Sequence, residues 1–229
     1  EKKVSKDETV YVNADAQGTE QEITVSNWLK NAGTEKNLKD ETELENVKNI
    51  KGDETFEENG DAITWQTNGA DIYYQGTTEK QLPVSMKMTY YLDGKEMTPE
   101  ELKGQSGHLK IKIDYTNHAK KTVKVDGKKQ EVYSPFVMVT GLILPDETFS
   151  NVVIDNGKVI SDGQKNMVMG IAMPGLKESL GLNSDDFKDI SDDIQLPESV
   201  EITADVTDFT MGSTFTIALS DLLDEIDLK

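Results

Sequence analysis

Apolar and polar residues alternate in short runs along most of the chain, and turn-forming residues separate the runs. Residues 9–14 alternate through Val10 and Val12, and residues 21–26 through Ile23 and Val25, around Asp15-Ala16-Gln17-Gly18. A period of two broken by such a cluster predicts a β-hairpin. A second hairpin is expected from Thr55-Phe56-Glu57, Asn59-Gly60 and Ala62-Ile63-Thr64-Trp65, followed by a short strand over 70–75. Residues 83–92 alternate cleanly, with Val84, Met86, Met88 and Tyr90 on one face. Leu109, Ile111, Ile113 and Tyr115 share a face of the next strand. Segments 122–125 and 131–139 flank Asp126-Gly127 as a further hairpin, and 136–144 is the most apolar run, a central strand. Short strands follow at 152–154, 159–160 and 167–173, then at 199–206 and 213–218.

Helical signals are few. Leu44, Val47 and Ile50, with Asp40 as N-cap, Glu43 as its capping-box partner and Gly52 as the stop, predict a short helix over 40–52. Thr98-Pro99-Glu100-Glu101-Leu102 carries a capping residue, proline at the first position and acids in the first turn, so one turn is expected there. Residues 175–194 read as helical or irregular. Ser220 caps Asp221-Leu222-Leu223-Asp224-Glu225-Ile226, a helix start with apolar residues at helical spacing. The fold class expected is mainly β: an antiparallel β-sandwich-like or multi-sheet domain with two or three short helices and roughly 11–13 strands. The expected domains are 1–92, an N-terminal β region, and 93–219, a C-terminal β region that could be continuous with it. Residues 220–229 would start a truncated helical stalk.

Composition narrows the chemistry. The 229 residues carry 24 basic and 43 acidic side chains, a formal charge of −19, and every basic residue is lysine. Such a charge repels phosphate backbones and excludes nucleic acid as a partner. With no cysteine there is no disulfide, thiol nucleophile, thiolate zinc site or iron–sulfur cluster. With no arginine there is no bidentate fork for phosphate. Hydrophobic residues make up 35 %, enough for a thin core under a solvated surface. No run of 18 apolar residues occurs, so a membrane is reached only through segments outside this chain.

Each candidate site has a plainer rival. Trp28, Trp65, Tyr73, Tyr74, Tyr90 and Tyr91 could form a sugar-stacking platform, or they could anchor the core; adjacent tyrosines on a strand point to opposite faces. Glu100-Glu101 and Asp185-Asp186 are adjacent carboxylates, but glycosidase acids must flank a bond at a set separation that neighbours rarely provide. His108 and His118 lack metal-ligand spacing. The acids of 185–193 and 221–227 could attract Ca²⁺ but lack the spaced loop with its sixth-position glycine. No phosphate loop or nucleophile elbow occurs. A Lys–Asn isopeptide crosslink beside an acid is conceivable in a cysteine-free β domain. The loops at 15–18, 76–81 and 145–151 are the expected contact points, because loops on β scaffolds carry function.

Several phrases occur together: Ile23-Thr24-Val25-Ser26-Asn27-Trp28-Leu29-Lys30, Lys51-Gly52-Asp53-Glu54-Thr55-Phe56 and Asp71-Ile72-Tyr73-Tyr74-Gln75-Gly76-Thr77-Thr78. Further along are Val139-Thr140-Gly141 to Leu144-Pro145, Phe149-Ser150-Asn151-Val152 and Asn156-Gly157-Lys158-Val159-Ile160-Ser161-Asp162-Gly163. The set, over nearly the whole chain, resembles the extracellular N-terminal region of large surface proteins of anaerobic Gram-positive bacteria, similar in layout to the phage-infection-protein (YhgE/Pip) family. The resemblance implies an extracellular, cell-surface domain tethered by a heptad stalk. It implies a non-enzymatic binding, adhesion or receptor-like role toward an unidentified protein or glycan. It assigns no residue a role and implies no cofactor and no metal. The rivals are a carbohydrate-binding module, a cell-wall or glycan hydrolase using paired carboxylates, and a ligand-free spacer.

Overall fold

The computed structural model describes residues 3–125, 127–180 and 196–219. The chain is mainly β, built of antiparallel sheets, and its described residues include two four-residue α-helices. Its described residues divide into two compact units, one of residues 3–12 and 22–80, the other of residues 13–21, 81–125, 127–180 and 196–219.

The first unit holds β1 (Ser5–Ala14), β2 (Glu20–Lys30), β3 (Asn37–Glu41), β4 (Glu45–Asn49), β5 (Phe56–Asn59), β6 (Ala62–Gln66) and β7 (Ile72–Thr77). The tips of β1 and β2 belong with the second unit. Strands β1-β2-β7-β4 run side by side in one sheet, and β3-β6-β5 form another. Their core gathers Leu29, Ala32, Ile63, Trp65, Ile72 and Tyr74, with Leu38, Leu44, Val47 and Phe56 packed against it. Trp65 lies opposite Phe56 across the β5–β6 pair, with ring centroids 4.6 Å apart, and 5.4 Å from Tyr74. The Tyr74 hydroxyl donates to Asp40 at 2.6 Å, and Lys6 pairs with the same carboxylate at 2.9 Å.

The helix expected over 40–52 does not form. Asp40 lies in β3 and serves the core tyrosine instead of capping a helix. Leu44 and Val47 reach one core at a spacing of three because β4 is bulged: its register against β7 shifts between Glu45 and Lys48, and Asn46 takes φ 52°. An extra residue in a strand reproduces the i, i+3 pattern of a helix.

The second unit is a sandwich. One sheet is β14-β17-β10-β8-β9, comprising β8 (Val84–Leu92), β9 (Lys95–Met97), β10 (Gly107–Asn117), β14 (Phe149–Ile154) and β17 (Ser199–Val206). The other runs β15-β16-β13-β18, comprising β13 (Val137–Pro145), β15 (Gly157–Ser161), β16 (Lys165–Ala172) and β18 (Thr214–Leu219). A separate hairpin pairs β11 (Lys120–Val125) with β12 (Lys128–Tyr133), and the helices are α1 (Pro99–Leu102) and α2 (Leu176–Ser179). Val84, Met88, Tyr90, Leu109, Ile111, Ile113, Val200 and Ile202 line the inner side of the first sheet, and Met138, Leu142, Leu144 and Val168 that of the second.

Close contacts join the layers. Gly170 of β16 sits against Val200 of β17, where a Cβ would lie 2.8 Å from a valine methyl. The Tyr115 hydroxyl is hydrogen-bonded to Thr140, which bonds Thr216 at 2.8 Å. At the β8–β9 turn, Asp93 (φ 49°) and Gly94 (φ 82°) take the paired left-handed conformations of a two-residue hairpin. Around α1, Thr98 and Glu101 close a capping box.

Other expectations are adjusted by the fold. The described residues contain 18 strands; the excess over the expected number comes from short polar segments such as Asn37–Glu41 and Lys95–Met97, which carry no apolar alternation. The segment 131–139 is two strands, parted at Ser134-Pro135, where proline cannot donate to a ladder. Asn156-Gly157 carries the chain from β14 in one sheet to β15 in the other, and α2 covers only the start of the 175–194 segment. Residue 126, the remainder of that segment over 181–195, and the expected helix start from 220 lie outside the described residues.

Asn27, on the inner side of β2, is 1 % exposed and neither amide atom has a hydrogen-bond partner among the described residues. An unpaired buried amide costs about 1–3 kcal/mol. Asn27→Leu should therefore raise the urea midpoint, and a lower midpoint would show that the amide is satisfied after all. Gly170→Ala should lower stability by about 1–3 kcal/mol through overpacking against Val200.

Candidate functional site

The aromatic candidates divide by strand parity. Trp65 and Tyr74 are fully buried in the first unit and Tyr90 in the second, so they are core residues. Trp28 and Tyr73 face outward as register partners across β2 and β7, half-buried, with rings stacked at 5.3 Å and 15° between planes. Lys30 lies over Trp28 and Lys51 over Tyr73, each 4.5 Å from the ring centroid. The Trp28 indole donates to Asp71 at 3.1 Å. Each ring thus has one face against the other ring and a lysine against it as well, which leaves little free π-surface for a sugar. Tyr91 similarly carries Lys110 at 4.8 Å.

The polar candidates are each engaged locally. Glu101 closes the α1 capping box, and Glu100 accepts a hydrogen bond from Gln17. These two, with Glu96, Met97, Tyr90 and Lys87, border a cleft of about 540 Å³ under the 15–18 loop. That loop is pinned: Asp15 accepts from the backbone of Gln17 and Thr19, and Ala16 accepts from the Tyr90 hydroxyl. His108 contacts Asp205 at 3.3 Å, and His118 contacts Ser85 at 2.8 Å, so the histidines are not brought to a shared site. In the 76–81 loop Lys80 pairs with Glu43. In the 145–151 loop Asp146 accepts from Asn166 at 2.7 Å, and Phe149 is buried. The acids of 185–193 and 221–227, including Asp185-Asp186, lie outside the described residues. Among the described residues no group of three or more His, Asp or Glu side chains could hold a metal.

The strongly perturbed titrating groups are core tyrosines. Burial raises Tyr74, with the Asp40 hydrogen bond adding to it, and burial likewise raises Tyr90. Tyr115 is pushed up to about 12 by burial. The exposed Asp162 and Asp205 are held below the usual carboxylate range. Asp162 accepts from the backbone of Gln164 and Lys165; Asp205 accepts from Asn151 and His108.

The feature that sequence reasoning missed is a sheet face. Ile160, Met167, Met169, Ile171, Ile143 and Phe215 all point outward from β15-β16-β13-β18 and are exposed, Ile143 by 62 % and the others by 39–46 %. Strict alternation places them: along β16, Asn166, Val168, Gly170 and Ala172 are buried while Met167, Met169 and Ile171 are exposed. The opposite outer face of the sandwich carries His108, Lys110, Lys112, Asp114, Glu201 and Asp205, with ion pairs such as Lys112–Asp114 at 3.6 Å. Clustered exposed apolar side chains on one outer face and ion pairs on the other mark an interaction surface. The sequence signal was present in Met167 to Met173, where both parities are apolar. Such a strand needs cover on two sides.

Comparison with known proteins finds no matching family model, no matching curated protein and no matching solved structure.

The buried tyrosines set an alkaline limit. An unfolded tyrosine ionises near pH 10, whereas the folded Tyr115 holds its proton to about 12. Its stabilisation is complete below pH ~10 and is lost as the pH rises from there through about 12. Absorbance at 295 nm should show a fraction of the seven tyrosines resisting ionisation until the protein unfolds. Simple titration of all of them in the folded state would contradict this.

Proposed function

We propose that this chain is a non-enzymatic, extracellular binding module of a bacterial cell-surface protein, and that it docks onto apolar protein surface through the outward face of β15-β16-β13-β18. One observation carries the docking half of the reading: six exposed aliphatic, methionine and phenylalanine side chains share that face in a chain of formal charge −19. Aliphatic and methionine side chains recognise apolar protein surface through burial, and methionine adapts its shape to a partner. The cell-surface half rests on the resemblance to Gram-positive surface proteins on heptad stalks. Acidic charge over the rest of the surface keeps such a module soluble and opposes non-specific contact with anionic envelopes.

The carbohydrate-binding reading draws on the outward Trp28–Tyr73 pair. It is weaker because lysines occupy ring faces that a sugar would need. The hydrolase reading needs two carboxylates facing one bond, and Glu100 and Glu101 are committed to Gln17 and to the helix cap.

Antibodies against this chain should label intact, unpermeabilised cells of the source bacterium, and brief external protease treatment should remove the label. Labelling only after permeabilisation would sink the surface assignment. A glycan array should stay blank for the wild type; a hit abolished by Trp28→Ala would favour the carbohydrate reading.

A further inference from the structure

The register across the exposed sheet face specifies what can cover it. One outward row reads Lys158, Met169, Gly141, Phe215 across β15, β16, β13 and β18. The rows on either side read Ile160, Met167, Ile143 and Ile171, Val139, Ile217. We infer that this face is a homodimer interface, covered by a second copy of the chain about a two-fold axis parallel to the strands. The inference rests on the docking reading above and names its partner.

Under that operation each row meets its own reverse, as an isologous interface requires. Met169 of one copy lies over Gly141 of the other, and the reverse contact is identical. Gly141 provides the hollow: a Cβ built there would touch only the Phe215 carbonyl oxygen, at 3.7 Å, so the space above it is open. Lys158 comes to the partner's β18, where its aliphatic stem lies along apolar surface and its ammonium reaches the rim. Met167 meets Ile143, and Ile171 meets Val139. Met169 opposes the glycine hollow, and in the flanking rows apolar side chains oppose apolar ones, so the residue order makes the face self-complementary.

Size and charge set the strength. Four strands ~4.8 Å apart, over about seven residues of ~3.4 Å, make a face of roughly 20 by 24 Å. Two such faces bury on the order of 1,000 Å², the lower bound of a specific interface. The charged side chain in the three rows is Lys158, but each copy carries −19 in all. Long-range repulsion between copies is screened within a Debye length of ~8 Å at physiological salt. Added salt therefore tightens this dimer, whereas it would weaken one held by opposite charges.

Sedimentation equilibrium of the full 229-residue chain across the micromolar range, at low and high salt, tests this. The expected result is a monomer–dimer equilibrium with a dissociation constant on the order of 1–100 µM, tighter at high salt. Gly141→Val, which fills the hollow with a strand-favouring residue, should weaken the dimer about tenfold or more. The melting curve of that variant in dilute solution should match the wild type. Met169→Lys should weaken the dimer as well. A 25.4 kDa monomer at every concentration, or a Gly141→Val dimer as tight as wild type, overturns the inference. In the monomeric case, peroxide oxidation of Met167 and Met169 read by peptide mass spectrometry separates two failures. Rapid oxidation leaves the face open to a different protein, so only the dimer falls. Protection as strong as that of the buried Met138 means the face is covered within the chain, and the docking reading falls with it.

Discussion

The close seating of β16 on β17 organises the second unit. It depends on Gly170, because any side chain there would collide with Val200. Once the two sheets stand that close, parity decides the fate of every neighbouring residue. Val168 and Ala172 go into the sandwich, and Met167, Met169 and Ile171 go out. The Tyr115–Thr140–Thr216 hydroxyl chain fixes the same spacing further along and satisfies three buried polar groups at once. A one-residue slip in β16 would exchange the apolar sets while leaving both faces greasy, so the glycine and the hydroxyls specify register where hydrophobicity alone would not.

The two outer faces of the sandwich differ in kind. The β14-β17-β10-β8-β9 side is solvated by lysines, acids and a histidine, paired both across strands and along β10. The β15-β16-β13-β18 side carries isoleucine and methionine. In a chain this acidic, carboxylates are plentiful, and their absence from the three outward rows is a property of that face. The aromatic residues, which first suggest a ligand platform, are spent on structure: Trp65 and Tyr74 make the core of the first unit, and Trp28 and Tyr73 are stacked on each other beneath lysines.

Much of the fold was legible in the sequence. The β1–β2 and β5–β6 hairpins, the strands at 84–92, 107–117 and 199–206, and the Thr98 cap all follow from period-two alternation and local turn chemistry. The helix read over 40–52 was not there, because a bulge at Asn46 gives a strand the spacing of a helix turn. Asp40 looked like a helix cap, yet its partner is Tyr74, 34 residues away, a hydrogen bond that no local pattern encodes. The candidate loops turned out to be braced by their own hydrogen bonds, and the exposed face was hidden in a run that reads equally well as buried core.

The sequence by itself determined the antiparallel β character, the lack of thiol and guanidinium chemistry, and which residues of each strand share a side. These are local properties, set by pleat geometry and side-chain type. Only the tertiary structure decided which side of β13, β15 and β16 is core and which is surface, that Gly170 is a contact and Gly141 a hollow, and that Asp40 serves a tyrosine. Those outcomes depend on which strands become neighbours, and strand pairing is fixed by burial summed over the whole sheet rather than by any one segment.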